Sequence, residues 1–196
     1  MLIVVAVAQD AHAGVIGNSI IRGVKQEKDP IIRGHTVRTV RLSLGTPPDM
    51  VAALIRKQLG PSEKMDVLKL CSHGNSGLVG LAGRDDENNA LEFKTAKTFA
   101  PLVDCFHPYR RMIHIHGCAV ASETRVVPPA TLGTFTGNPD GFGVRFMTEL
   151  AKWTRCTVQA NIDARLLGAY FFGDTVLAYP TGGFCRLTGS GMAQLQ

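Results

Sequence analysis

Two residues with catalytic potential, His73 and Cys118, each follow a short apolar stretch of the chain. The stretch LKLCS, residues 68–72, precedes His73, and the stretch MIHIHG, residues 112–117, precedes Cys118. A thiolate is a strong nucleophile, and an imidazole beside it can lower the pKa of the thiol or accept its proton. A histidine and a cysteine brought together would therefore form a nucleophilic pair able to attack a carbonyl carbon.

Both residues also adjoin a glycine, Gly74 after the histidine and Gly117 before the cysteine. Glycine allows a sharp exit from a strand and lets a substrate backbone approach closely. The N–H groups of Gly74 and Cys118 could then both point at a developing oxyanion. Removing one such donor typically costs about 3 kcal/mol of transition-state stabilisation.

Predicted strands must bring these residues together. Residues 2–8 and 65–72 are mostly apolar, as is typical of parallel strands covered on both faces, and residues 111–117 and 157–162 belong with them more loosely. A fifth segment, residues 36–44, mixes basic and apolar positions and fits the edge of a sheet. Ligands gather at the carboxyl ends of parallel strands, and neighbouring strands end at one edge. We therefore expect His73 and Cys118 to emerge side by side.

Three helices are predicted between these strands. They cover residues 46–60 with Thr46 as N-cap, residues 99–106 with Thr98 as N-cap, and residues 140–155 with Asp140 as N-cap. Strands that alternate with helices predict an α/β fold of three layers, in which helices flank a mostly parallel central sheet. Residues 169–188 contain short apolar runs broken by Gly-Asp and Gly-Gly, which predict a small antiparallel appendage at the C-terminus.

The composition is that of a globular protein. The 196 residues fit one domain, taken as residues 1–196, with 45% hydrophobic and 19% charged residues. The net charge is +5, but the basic residues are scattered and form no stripe interleaved with aromatic residues. We therefore expect no nucleic-acid partner. No apolar run reaches the length of a membrane span, so we expect no membrane partner.

The cysteines and the first residues indicate a cellular compartment. The five cysteines are odd in number and form no CxxC pair, which favours reduced thiols over a disulfide framework. The apolar run of residues 2–8 is short and follows no Lys or Arg, so it predicts a first strand rather than a signal peptide. We expect a cytoplasmic protein, although an effector secreted without a signal peptide would share these features.

The pattern of the two strand ends resembles the caspase-like cysteine peptidase superfamily. An apolar strand leads into Ser-His-Gly, and a second leads into Gly-Cys, most similar to bacterial CHAT-type and separase-type domains. The segment HGNSGLVGL, residues 73–81, resembles the His-Gly segment that runs into a short hairpin. The segments 117–122 and 141–163 resemble the loop, the Gly-led helix and the strand that follow Gly-Cys. The resemblance covers roughly residues 65–163.

This resemblance implies roles for individual residues. His73 would be the general acid/base, Cys118 the nucleophile, and Gly74 with the Cys118 amide the oxyanion site. Asp163 matches the position where many relatives hold an acidic residue that receives a basic P1 side chain, and Asn75 is a second candidate substrate-binding residue. The implied function is a cysteine endopeptidase that cleaves polypeptides after a basic residue and needs no cofactor.

Two alternatives remain open. The first is a caspase-like interaction or regulatory domain in which the His73–Cys118 pair is catalytically silent. The second is a zinc-dependent hydrolase, because His114, His116 and Cys118 alternate along one strand and would face the same side. Alternate strand residues are about 7 Å apart, which is awkward for three ligands of one ion. We therefore predict no metal site.

Overall fold

An eight-stranded mixed sheet forms the centre of the protein. It is seen in a computed structural model that describes residues 1–8, 36–43, 45–81, 90–123, 142–162, 173–188 and 193–195. Its strands are β1 (Leu2–Ala8), β2 (Thr36–Leu42), β3 (Val67–Cys71), β7 (Met112–His116), β8 (Thr157–Asn161), β9 (Thr175–Ala178), β10 (Phe184–Leu187) and β11 (Ala193–Leu195). Across the sheet they lie in the order β11-β10-β9-β8-β7-β3-β1-β2.

The strand directions confirm the mostly parallel sheet and place β2 at an edge. Neighbouring strands from β2 to β8 are parallel, whereas β9, β10 and β11 are antiparallel to their neighbours. The C-terminal strands are antiparallel, as predicted, and they extend the central sheet instead of standing apart from it. Val176 and Ala178 of β9 are fully buried with Val158 and Ala160 of β8, so the apolar face of the sheet continues into β9.

A second, smaller sheet carries the predicted hairpin. It contains β4 (His73–Asn75), β5 (Leu78–Gly80) and β6 (Leu91–Glu92), which are antiparallel and lie in the order β4-β5-β6. Only Ser72 separates β3 of the central sheet from β4 of this sheet. The chain therefore leaves the central sheet and enters the hairpin at His73.

Three helices of the described residues pack against one another on one face of the central sheet. They are α1 (Pro48–Lys57), a 3-10 helix (Ala96–Cys105) and α2 (Gly143–Thr154), with the 3-10 helix between the other two. Their buried residues share a core with alternate sheet residues such as Leu70 and Ile115. On the opposite face Ile3, Val5 and Val7 form a second buried cluster. None of the helices in the described ranges is long and apolar enough to cross a membrane.

The predicted helix caps differ from the observed ones. Thr46 lies before α1 and donates its hydroxyl to the Ser43 carbonyl, while Pro47 is the N-cap. Thr98 lies inside the 3-10 helix and donates its hydroxyl to the Thr95 carbonyl. This helix also contains Pro101, which has no N–H to donate to a helical hydrogen bond. Asp140 lies outside the described residues.

Candidate active site

The strands that precede His73 and Cys118 are neighbours, as predicted. β3 and β7 are parallel, and their last residues, Cys71 and His116, are partners in the register. One further backbone hydrogen bond, 3.2 Å long, joins the two strand ends, from the Ser72 N–H to the His116 carbonyl. Both strands therefore end at the same level of the sheet, and the next residues of each chain segment begin at one common edge.

The glycines beside His73 and Cys118 bring the two segments into direct contact. A Cβ atom added to Gly74 would lie 3.2 Å from the Gly117 Cα and 3.2 Å from the Cys118 carbonyl oxygen. It would also lie 2.4 Å from Cγ2 of Val120, a distance that real Cβ atoms do not tolerate. The backbones can approach this closely only because both positions lack a side chain. His73 and Cys118 each adjoin this contact.

The hairpin geometry gives the Gly74 amide a defined direction. Asn75 pairs with Leu78 across the two-residue turn Ser76–Gly77, and Gly77 has the positive φ of 75° that a type II turn requires at its second central residue. Antiparallel pairs alternate between hydrogen-bonded and non-hydrogen-bonded. The pair of Asn75 and Leu78 closes the two-residue turn and is therefore hydrogen-bonded. The next pair, Gly74 and Val79, is then a non-hydrogen-bonded pair. The Gly74 N–H therefore points away from β5, as an oxyanion donor must.

A tight turn follows Cys118 and is anchored to two elements. Ala119 has a positive φ of 50°, a conformation that costs a non-glycine residue on the order of 1 kcal/mol. The Ala121 N–H donates to the Asn161 carbonyl at the end of β8, over 2.9 Å. The Val120 carbonyl accepts the N–H of Gly77 from the hairpin, over 3.0 Å. The nucleophile candidate thus lies on a turn whose backbone is held from both sides.

Cys118 differs from the other four cysteines in its exposure. Cys118 is partly exposed, whereas the others are buried, namely Cys71, Cys105, Cys156 and Cys185. Burial raises the pKa of Cys71 and of Cys156 to about 12. Burial also raises the pKa of the Cys118 thiol above its ordinary value, so this thiol is protonated at neutral pH. Any attack by Cys118 therefore requires that its proton be accepted during the reaction.

The two histidines before Cys118 belong to the sheet face opposite the helices. Their neighbours Ile113 and Ile115 face the helix side, and Lys69 is the register partner of His114. Burial, and then the Lys69 charge, lowers the pKa of His114 to about 3 and that of His116 well below its usual range. Among the residues that the structure describes, no three His, Cys, Asp or Glu side chains are grouped closely enough to hold a metal ion.

Of the two candidate substrate-binding residues, the structure describes Asn75 but not Asp163. Asn75 is buried, and its side-chain oxygen accepts the Ser76 N–H over 2.8 Å within the hairpin tip. Asp163 lies outside the described residues. The strand that precedes it, β8, does lie beside β7 and runs parallel to it.

Three residues near the site were not predicted from the sequence. Ser76 donates a hydrogen bond to the Ser122 carbonyl. Val120, in the turn after Cys118, packs its side chain against Gly74 and Gly117. Asn161 ends β8, and its buried side-chain oxygen has no hydrogen-bond partner in the described part of the chain. No spacing rule marks the first two, because their contacts join segments about 45 residues apart. A polar residue at the end of a predicted parallel strand could have indicated Asn161.

Comparisons with known proteins identify no family for this chain. No protein-family model matches this chain, and no curated protein is significantly similar to it. A fold alone does not determine an activity, because one architecture supports many functions. The function is therefore inferred from the contact between Gly74 and Gly117 and from the partial exposure of Cys118.

Proposed function

We propose that the protein is a cysteine endopeptidase in which Cys118 is the nucleophile and His73 the general acid/base. The observation that carries this proposal is the backbone contact between Gly74 and Gly117, which adjoin the two residues. Nucleophilic catalysis needs the nucleophile and its base within reach of each other at an accessible edge. The partial exposure of Cys118 meets the second requirement.

We extend the proposal to a caspase-like fold. Its support is the parallel order β2-β1-β3-β7-β8, in which the histidine follows the third strand of this row and the cysteine follows the fourth. The hairpin at residues 73–80 begins at this histidine. This arrangement agrees with the resemblance to caspase-like peptidases that the His-Gly and Gly-Cys segments carry.

The proposed reaction begins with a neutral thiol. His73 accepts the Cys118 proton as the sulfur attacks the carbonyl carbon of the scissile peptide bond. The N–H groups of Gly74 and Cys118 bind the oxyanion of the tetrahedral intermediate. The intermediate collapses, the C–N bond breaks, and His73 returns the proton to the leaving amine. Water, deprotonated by His73, then hydrolyses the thioester and regenerates the thiol.

The proposed substrate is a polypeptide with a basic P1 residue. This part rests on Asp163, which follows β8 in the sequence, and β8 is the strand next to β7. A carboxylate there would form a charge-assisted hydrogen bond with Arg or Lys, worth about 1.5–3 kcal/mol when shielded from water.

A second candidate function is a silent caspase-like interaction domain. The raised pKa of the Cys118 thiol favours it, because active cysteine nucleophiles often have a lowered pKa. In an active peptidase, the Cys118 thiol would have to lose its proton after the substrate binds, because burial keeps the thiol protonated in the resting site. The two functions therefore differ in one measurable property, turnover of peptide bonds.

Cleavage of a diverse peptide library tests the proposal. We expect the wild type to cleave, and the variants Cys118→Ala and His73→Ala to lose about 10³-fold or more in kcat/KM. The matched control is Cys105→Ala, which removes a thiol at the end of the 3-10 helix and should retain wild-type activity. Cleavage that survives Cys118→Ala, or a folded wild type that cleaves nothing, would contradict the proposal.

A further inference from the structure

The hydroxyl of Ser76 joins the hairpin of His73 to the turn of Cys118. Ser76 is fully buried at the hairpin tip, and its Oγ donates a hydrogen bond to the backbone carbonyl of Ser122. Ser76 lies three residues after His73, and Ser122 lies four residues after Cys118. A single side-chain bond thus connects the two segments close to both reactive residues.

The Ser122 carbonyl is also the point at which α2 begins. The Gly143 N–H donates to it over 2.9 Å. A Cβ atom on Gly143 would lie 2.5 Å from this same oxygen and 2.4 Å from the Val120 carbonyl oxygen, so the helix starts in direct contact with the turn. The Glu123 carboxylate accepts the N–H of Val144 over 2.7 Å and fixes the same helix end. The turn is therefore held to a large, well-packed element.

Two hydrogen bonds join the tip of the hairpin to the Cys118 turn. Elsewhere the hairpin is held by the pairing of β5 with β6 and by a bond from the Ser72 hydroxyl to the Gly80 carbonyl, and β4 and β5 are three residues long each. Its tip contacts the Cys118 turn through the Ser76 hydroxyl and through the Gly77 N–H, which donates to the Val120 carbonyl. The first of these bonds depends on a side chain and can be removed by substitution.

We propose that Ser76 is a positioning residue, whose hydroxyl fixes the placement of His73 relative to Cys118. This inference rests on the proposed function for its catalytic consequence. Substitution of Ser76 leaves the Ser122 carbonyl with its bond from Gly143, so the turn and α2 keep their contact. The hairpin tip loses its side-chain bond to the turn while the Gly77 bond remains, and the placement of His73 relative to the thiol becomes less tightly defined.

The variant Ser76→Ala tests this inference with two readouts. A displacement of about 1 Å in a catalytic group can lower the rate about 10²-fold. We therefore expect kcat to fall 10- to 100-fold, with KM changed less than about twofold, because substrate contacts remain. The second readout is the pH profile of Cys118 alkylation, which should move from the wild-type profile towards that of His73→Ala.

The matched control is Thr154→Val. Thr154 is also fully buried, and its hydroxyl donates to the Leu150 carbonyl over 2.7 Å at the C-terminal end of α2. This variant loses a comparable buried hydroxyl bond away from the site and should keep wild-type kinetics and alkylation. Equal losses in Thr154→Val and Ser76→Ala would show a general stability effect and overturn the inference.

Two variants that are isosteric with each other test the inference if Ser76→Ala does not fold. Ser76→Thr and Ser76→Val have the same shape and differ in the hydroxyl. The inference requires the threonine variant to exceed the valine variant at least tenfold in kcat, and equal values would contradict it.

Alkylation separates failure of this inference from failure of the proposed function. A wild type without peptidase activity contradicts the function alone, and the positioning role is then judged from alkylation. It is supported if Ser76→Ala shares the profile of His73→Ala and differs from the wild type. It is overturned if Ser76→Ala behaves as the wild type, or if His73→Ala itself leaves the profile unchanged.

Discussion

Gly74 and Gly117 face each other across two segments that are 43 positions apart in the chain, with room for no side chain between them. Val120 packs against both glycines. A Cβ atom added to Gly74 would lie 2.4 Å from Val120 Cγ2, and one added to Gly117 would lie 3.1 Å from it. The two glycines are therefore requirements of packing, as well as of access to a substrate. They determine how closely the segments that carry His73 and Cys118 can approach.

Gly74→Ala should be destabilising and should impair the site. The added methyl group overlaps Val120, and overpacking of this kind typically costs about 1–3 kcal/mol. We expect a lower urea midpoint and at least a tenfold loss of peptidase activity, since the hairpin must move away from the Cys118 turn. Urea denaturation and peptide cleavage measure the two effects.

Two further variants identify the cause. A Cβ on Gly183 would have no atom within 4 Å, so Gly183→Ala should leave both stability and activity unchanged. The double variant Gly74→Ala with Val120→Ala removes the overlapping methyl group and should recover part of the lost stability. If the double variant loses the sum of the two single effects, the close contact is not the cause.

Iodoacetamide should modify Cys118 before the other cysteines. Cys118 is the partly exposed thiol, and the pKa values of Cys71 and Cys156 of about 12 keep those thiols protonated and inert. Peptide mass mapping after a brief treatment at neutral pH should find Cys118 carboxamidomethylated first. Modification of all five thiols at similar slow rates would favour the silent interaction domain.

Acid should destabilise the protein through His114. Its pKa is lowered to about 3 in the folded state by burial and the Lys69 charge, whereas in the unfolded chain it is about 6.5. Below pH 6.5 the unfolded state therefore binds a proton that the folded state does not, and stability falls as the pH falls. For this residue the loss amounts to about 2 kcal/mol between pH 7.5 and pH 5.

The comparison of variants isolates this contribution. His114→Gln should show a smaller fall in the free energy of unfolding between pH 7.5 and pH 5 than the wild type. His107→Gln, at an exposed histidine, serves as the matched control and should follow the wild type. An unchanged pH dependence in His114→Gln would show that the imidazole is not held neutral by its surroundings.

The sequence predicted the sheet well because its signals are local. Apolar runs placed β1, β3, β7 and β8 within two residues at each end, and the basic residues of β2 indicated an edge. The position of the C-terminal strands was harder to predict. Their antiparallel pairing was expected, but the pairing of β9 with β8 of the central sheet was not. The pairing of Val158 with Ala178 depends on which strand edge is open, and no local pattern encodes that.

The candidate site was predictable only in part. His73, Gly74 and Cys118 follow recognisable strand ends, so their common edge could be expected. Ser76 could not, since its role depends on the Ser122 carbonyl 46 positions away. Nor does the sequence show that the Cys118 thiol is protonated at rest, because its pKa depends on three-dimensional burial.

The variant Asp163→Ala tests the predicted P1 preference. Cleavage of a peptide library should show Arg or Lys at P1 for the wild type and a loss of about tenfold or more at those sites in the variant, equivalent to about 1.4 kcal/mol. The substitution Asp163→Asn keeps the size of the side chain and removes its charge, so a loss equal to that of alanine would assign the effect to charge. Cleavage after acidic or apolar residues would contradict the specificity and leave the Cys118 mechanism open.

Direct detection of a thioester on Cys118 is the most direct test of the account. An activated peptide ester with Lys at P1 is mixed with the enzyme, the reaction is quenched in acid during turnover, and the protein is mapped by mass spectrometry. We predict an acyl group on Cys118 that is absent from Cys118→Ala and forms about 10²-fold or more slowly in His73→Ala. Turnover without an adduct on Cys118, or an adduct that forms equally fast without His73, would contradict the proposed mechanism.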